Sequence, residues 1–196
     1  MDPFLILLLV LGLGLIVAIV LIYNRLIALK QRCKNAFSDV DVQLRQRLEL
    51  VPRIVTLVKG YMKHEREIME NLTEARTQVK EVQDSSTTAN ALGEKRLSAE
   101  KKLGGLMTNL FAVAENYPDL RAESTFVEAQ QEFSAIEQRL AASRRLYNAT
   151  VADYNTYRQQ FPFNLIGAVF SFQDMRFFEV DDAERREMRR FPDINF

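Results

Sequence analysis

Residues 4–22 read "FLILLLVLGLGLIVAIVLI", with no charge and no side-chain hydrogen bonder. Wound as a helix, these nineteen residues rise about 28 Å, close to the hydrocarbon thickness of a bilayer. A cleaved signal peptide would show a positive n-region, a shorter apolar core and a small-x-small site. Here Asp2 precedes the run and "VLIYN" closes it, so a retained anchor is expected. Gly14 and Ala18 form a weak small-xxx-small pair that would let two spans approach. Arg25, Lys30, Arg32 and Lys34 follow the run, with no acid until Asp39. By the positive-inside rule, this places the N-terminus outside and the rest of the chain in the cytoplasm.

Beyond the span, apolar residues recur at alternating steps of three and four, which is the helical period. One set is Leu26, Leu29, Cys33, Phe37, Val40, Leu44 and Leu48, and the next runs from Ile54 and Val58 through Tyr61 to Val82. A third spans Leu97, Leu103, Met107, Leu110, Ala114 and Tyr117. The last follows a seven-residue step through Phe126, Phe133, Leu140, Tyr147, Tyr154 and Phe161. "QDSSTTANALG" and "NYPDLRAES" separate the later sets, and Thr125 with Glu128 has the spacing of a capping box. Between the first two sets stands only Pro52, either a kink or the first residue of a new helix. Similar lengths favour a new helix there and an antiparallel bundle. The expectation is therefore an all-α chain: a single transmembrane helix, then an up-and-down four-helix bundle, then a Phe-rich C-terminal segment. The domain boundaries expected are 1–23, 24–162 and 163–196.

Within the last set, a Tyr-Asn pair occurs twice, at Tyr147-Asn148 and Tyr154-Asn155. Seven residues make two helical turns, so both pairs lie on one face. A tyrosine in an apolar seam buries its ring but needs a partner for its hydroxyl. Asp39 and Asp41 of "NAFSDVDVQLRQR" are expected among the partners, giving a polar layer that fixes the register of neighbouring helices. A ligand site is the alternative use of the same face.

"DVDVQLRQRLELVPRIVTLVKGYMKHEREIMENLTEAR", "AVAENYPDLRAES", "YNATVADYNTYRQQFPFNL" and "FFEV" stand in an order and spacing that resemble the LemA family of bacterial membrane proteins. The resemblance runs from about Tyr23 to Glu179 and departs in the charged tail 181–196. It implies a single-span anchor, an antiparallel four-helix domain and no established reaction. A magnetosome-membrane relative implies that members can serve organelle or envelope organisation. The location expected with it is the bacterial inner membrane.

Chemistry-bearing motifs are scarce. His64 precedes Glu65 as in a zincin motif, but the position of the second histidine is Ile68. One histidine cannot supply a di-iron bundle's two Glu-x-x-His motifs. Cys33 lies between Arg32 and Lys34 without a suitably spaced histidine, and Gly104-Gly105 lacks the Lys-Ser/Thr of a phosphate loop. No enzyme, cofactor or metal is expected. With 26 basic and 26 acidic side chains, neither is nucleic acid. A membrane-anchored scaffold or adaptor at the cytoplasmic face remains, with a signalling or lipid-responsive module as the alternative. Only about three residues precede the span, too few for an external input domain, which favours the scaffold. The expected partners are membrane lipid, further copies of the chain and an unidentified membrane or cytoplasmic protein. Eight of the thirteen phenylalanines fall after residue 160. Phe163, Ile166, Phe170, Phe177 and Phe178 are accordingly expected at a membrane or assembly contact, with a lid across the bundle's open end as the other possibility.

Overall fold

A computed structural model describes residues 3–85 and 94–178; the expected role of the tail 181–196, and most of the loop after Val82, lie outside these. The described residues form helices with no strand: α1 (Pro3–Val58), α2 (Arg66–Ser85), α3 (Glu94–Ala114), α4 (Pro118–Ala122), α5 (Ser124–Gln159) and α6 (Phe163–Val169). The chain is all-α, as its periodicity indicates.

Helix α1 corrects one expectation. It is a single helix of 56 residues with Pro52 inside it, and the chain turns at 59–65 instead. Proline lacks the N–H that would bond the carbonyl four residues back, which ordinarily breaks a helix. Here the freed carbonyl of Leu48 accepts from Arg76 Nε of α2 at 3.4 Å, and Thr56 Oγ1 donates to the Pro52 carbonyl at 2.8 Å. The proline is thus accommodated by a neighbour, and the apolar stripe passes through it in phase. Over the apolar run the described side chains of α1 are exposed, save half-buried Ile19 and Ile22; from Leu26 onward one face is buried. That segment is long and apolar enough to cross a bilayer.

The described residues divide into two compact units. In one, spanning Lys34–Leu146, the later part of α1, α2, α3, α4 and the first part of α5 share a core. Ile54, Leu72, Leu103, Met107, Leu120 and Phe126 are fully or almost fully buried in it. Arg53 pairs with Glu132 and Arg47 with Glu137, so α5 runs antiparallel to α1. The capping box expected at Thr125 is replaced by another bond, because the Thr125 hydroxyl donates to the Glu123 carboxylate at 3.0 Å. Among the described residues, the other unit joins residues 3–33 with residues 147–178.

In that second unit, α6 ends in a Schellman arrangement, with the Phe172 N–H on the Gly167 carbonyl and the Ser171 N–H on that of Ala168. Ser171 supplies the left-handed residue that such an ending needs, at φ 56°. The chain then continues without helix through 172–178 and lies along α5.

Candidate functional site

The seven-residue seam of α5 is buried at Phe126, Phe133, Leu140, Tyr147 and Tyr154, but Phe161, beyond the end of the helix, is exposed. Asp39 and Asp41, expected among the partners of the two Tyr-Asn pairs, are absent from the hydrogen bonds described for them. The partner of both pairs is the main chain of 172–178. Tyr154 donates its hydroxyl to the Gln173 carbonyl and Tyr147 donates to that of Arg176, each at 2.9 Å. Asn155 grips Met175 at both backbone groups: its Nδ2 donates to the carbonyl and its Oδ1 accepts from the N–H, both at 2.9 Å. Asn148 does the same to Phe178, at 3.0 and 2.7 Å. Arg158 begins the series, donating from Nε to the Phe172 carbonyl at 2.7 Å and pairing with Asp174 at 2.6 Å.

The repeat now has a geometric reason. Seven residues of α-helix advance about 10.5 Å, and three residues of extended chain about 10 Å. A side-chain donor repeated every seven positions on α5 therefore meets an extended, antiparallel backbone every three positions. Burial raises the pKa of both tyrosine hydroxyls, which keeps them protonated as donors. An unpaired backbone group in such a place would cost on the order of 1–3 kcal/mol, which the amide pairs avoid. The arrangement recognises main chain rather than side chains. It can hold a segment; it contains no nucleophile poised beside a base.

The residues expected at an assembly contact separate accordingly. Phe178, expected at a membrane or assembly contact, is buried within its own unit. Phe163 is half-buried, its ring stacked on Tyr157 with centroids 4.2 Å apart, and Ile166 is also half-buried. Phe170 and Phe177 are exposed. Residues 172–178 form a strip bonded along the side of α5. Asp39 is exposed, while Asp41 binds Arg45 at 3.0 Å and also Arg96 of α3. His64 is exposed, and Cys33 is buried with its thiol donating to the Thr150 carbonyl at 3.2 Å. Among the described residues no three His, Cys, Asp or Glu side chains gather as a metal site.

A second polar cluster, in the unit of Lys34–Leu146, was not anticipated. Arg47, 2% exposed, donates from Nη2 to Glu100 Oε2 at 2.6 Å and to the Glu100 carbonyl at 2.7 Å. Its Nη1 bonds Glu137 at 3.0 Å. Burial lifts the Glu100 carboxyl above the usual carboxylate range, with Arg47, Arg96 and Arg144 pulling it down. Arg47 Nε, Arg96 Nε and Glu100 Oε1 are buried with no hydrogen-bond partner among the described residues. Gly104 leaves room for this: a Cβ there would lie 2.9 Å from Arg47 Nη1. A signal existed in the sequence. Arg47 stands in phase with Val40, Leu44, Val51 and Ile54, and Glu100 with Leu103, Met107 and Leu110, so both charges occupy core positions.

A helix exposed and apolar enough to span a bilayer, continuous with buried core positions, defines a membrane-associated helical protein. The chain belongs to the LemA family, whose model matches residues 36–196. Similar proteins include Magnetosome protein MamQ 2 of Paramagnetospirillum magneticum, 23% identical over 179 residues that cover 82% of this chain and 66% of the relative. Magnetosome protein MamQ of Magnetospirillum gryphiswaldense is 20% identical with the same coverage. Protein LemA of Metamycoplasma hominis is 21% identical over 162 residues, 83% of this chain and 71% of the relative. The chain thus spans just under two thirds of the length of the MamQ relatives it matches.

Proposed function

We propose that the protein is a non-catalytic, membrane-anchored helical scaffold, held with its N-terminus outside and its helical body at the cytoplasmic face of a bacterial inner membrane. One observation carries this reading: α1 is uninterrupted from Pro3 to Val58, so the helix that enters the bilayer is the helix that supplies core positions from Leu26 to Val58. Arg25, Arg32 and Lys34 are exposed just after the apolar run, which favours the cytoplasmic side for them. The names of the relatives are not enzyme names, and a magnetosome protein is compatible with an organising role. The body would gather further copies of the chain or another membrane or cytoplasmic protein.

Two measurements test this. Buried Cys33 is a poor reporter of topology, so Lys63→Cys in a Cys33→Ser background is used, because Lys63 is exposed. A membrane-impermeant maleimide should leave intact spheroplasts unlabelled and react with inside-out vesicles; the opposite pattern reverses the orientation. The full chain in nanodiscs should also form particles larger than one copy or retain a stoichiometric partner from the native membrane. A strictly monomeric, partnerless chain that turns over a substrate would defeat the scaffold reading.

A further inference from the structure

Between Arg158 and Asp174 the chain carries no charged residue. Its position gives that absence a meaning. The end of α5 lies beside the foot of the apolar run, where Arg25, Leu29 and Arg32 of α1 face Asp153, Thr156 and Gln160 across a cleft of about 420 Å³. Next, the chain leaving α6 brings Phe170 to 4.9 Å and Phe172 to 5.7 Å, centroid to centroid, from the ring of Tyr23. Tyr23 is the residue that immediately follows the apolar run. So α6 sits at the level where the span ends.

The inner side of α6 is committed to its own unit. Gly167 is buried, and a Cβ there would lie 3.3 Å from Arg158 Cγ. The outer side is different. Phe161 is 79% exposed, Leu165 56%, Val169 75% and Phe170 48%. Leu165 and Val169 are one turn apart on α6, with Phe161 and Phe170 flanking them. A contiguous apolar patch of this kind marks a contact surface. Two observations choose its occupant. The patch continues, through Tyr23, the exposed apolar surface of the span itself. Beside it Arg25 and Arg32 have no ion-pair partner among the described residues, as suits the phosphates of acidic lipids.

We propose that α6 and its flanks are a second, in-plane contact with the lipid bilayer, with Phe161, Leu165, Val169 and Phe170 among the upper acyl chains and Arg25 and Arg32 towards lipid phosphates. The proposal rests on reading residues 4–22 as the span. An interfacial segment of this kind has an apolar face beside basic residues and aromatic rings at headgroup level, here Tyr23 and Tyr157.

The chain has no tryptophan, so a single introduced one is an unambiguous reporter. Three full-chain variants, each at an exposed position, serve: Val169→Trp on α6, Leu13→Trp within the apolar run and Val127→Trp on α5. Each is reconstituted in nanodiscs of phosphatidylcholine and phosphatidylglycerol whose chains carry bromine at a shallow or a deep position. Unchanged thermal melts confirm that each variant folds. The Val169 probe should be quenched several-fold more by shallow than by deep bromine, the Leu13 probe more by deep bromine, and the Val127 probe by neither. A quenched Leu13 probe with an unquenched Val169 probe overturns this proposal and leaves the span intact. An unquenched Leu13 probe overturns the span and the proposal together. Blue-shifted but unquenched Val169 emission that reddens as the protein is diluted would assign the patch to a second copy, against the proposal. Quenching at Val169 that is unchanged without phosphatidylglycerol would remove the role given to Arg25 and Arg32.

Discussion

The two compact units each hold polar groups in apolar surroundings, and they do so by opposite chemistry. Along α5, beyond the Arg158–Asp174 pair at its start, neutral amides and phenols meet a neutral backbone, and both Asn side chains use oxygen and nitrogen together. Around Arg47 the groups are charged, the pairing is close, and three buried nitrogen or oxygen atoms remain unmatched among the described residues. A buried ion pair gains attraction but gives up hydration of similar size, so it specifies an arrangement more than it stabilises one. A neutral amide loses less on burial and still fixes a register. The lesson is that the charged cluster should be sensitive to losing one partner and indifferent to losing both. The neutral ladder should lose stability in proportion to the bonds removed.

The widest separation is expected at Arg47. Arg47→Ala leaves Glu100 buried without its closest counter-charge, at a cost of about 3–5 kcal/mol, whereas Arg47→Met with Glu100→Leu should be close to neutral. Chemical denaturation of the solubilised chain measures both. Equal losses would mean that the site is solvated and the contrast with α5 is false.

Next in size is the double variant Asn148→Leu, Asn155→Leu. It removes four side-chain bonds to Met175 and Phe178, each worth about 1 kcal/mol net. Helix content should persist, while the amides of Met175 and Phe178 lose hydrogen-exchange protection. Protection that survives would show that packing of Phe172 and Phe178, and not the ladder, holds the strip.

Gly104→Ala should be smaller. In an open helix this change gains up to about 1 kcal/mol. Here the new methyl meets an Arg47 guanidinium held by Glu100 and Glu137, so the expected result is a net loss of about 1 kcal/mol. A stabilised variant would show that Arg47 can move aside without consequence.

The smallest effect is on pH dependence. Glu100 has a folded-state pKa above its unfolded value, with burial as the main cause. Its contribution is fully present below the unfolded value and is lost as pH rises through the folded one. Relative to Glu100→Gln, the wild-type chain should therefore gain stability as pH falls from neutral towards the ordinary carboxylate range. A difference between the two that does not change with pH would place the Glu100 carboxyl at its ordinary value.

Much of the fold was legible because helical periodicity is a local property, and α2, α3 and α5 follow their apolar sets. The sequence points to a turn at Pro52 because proline is a strong local signal against a helix, and Arg76, which answers the Leu48 carbonyl, lies 28 residues away. Nothing near Pro52 announces it. The Tyr-Asn repeat is visible as one face, but its partner is an irregular strip and not a helix. An irregular strip has no periodicity of its own to reveal it, and the seven-to-three match appears only when both elements are placed. The charges at Arg47 and Glu100 are in phase with the core, but charged side chains ordinarily face solvent, so phase alone does not mark them as buried.

The match between α5 and the strip behaves as a vernier. Two scales of unequal pitch, sharing an origin near Arg158, drift apart by roughly 0.5 Å at each coincidence. Two coincidences lie within the tolerance of a hydrogen bond, and a long series would not. The side chains agree with that limit: one further step down α5 brings Leu140 and Ala141, neither of which can bond a backbone. Such a scale reads distance along the chain and is nearly blind to what the chain carries. Substitutions at Gln173 or Arg176 should pass unnoticed, whereas inserting one residue between Met175 and Phe178 should leave Asn148 facing the wrong group. Proline at either of those two positions would erase a graduation outright, since each N–H is one of the marks being read.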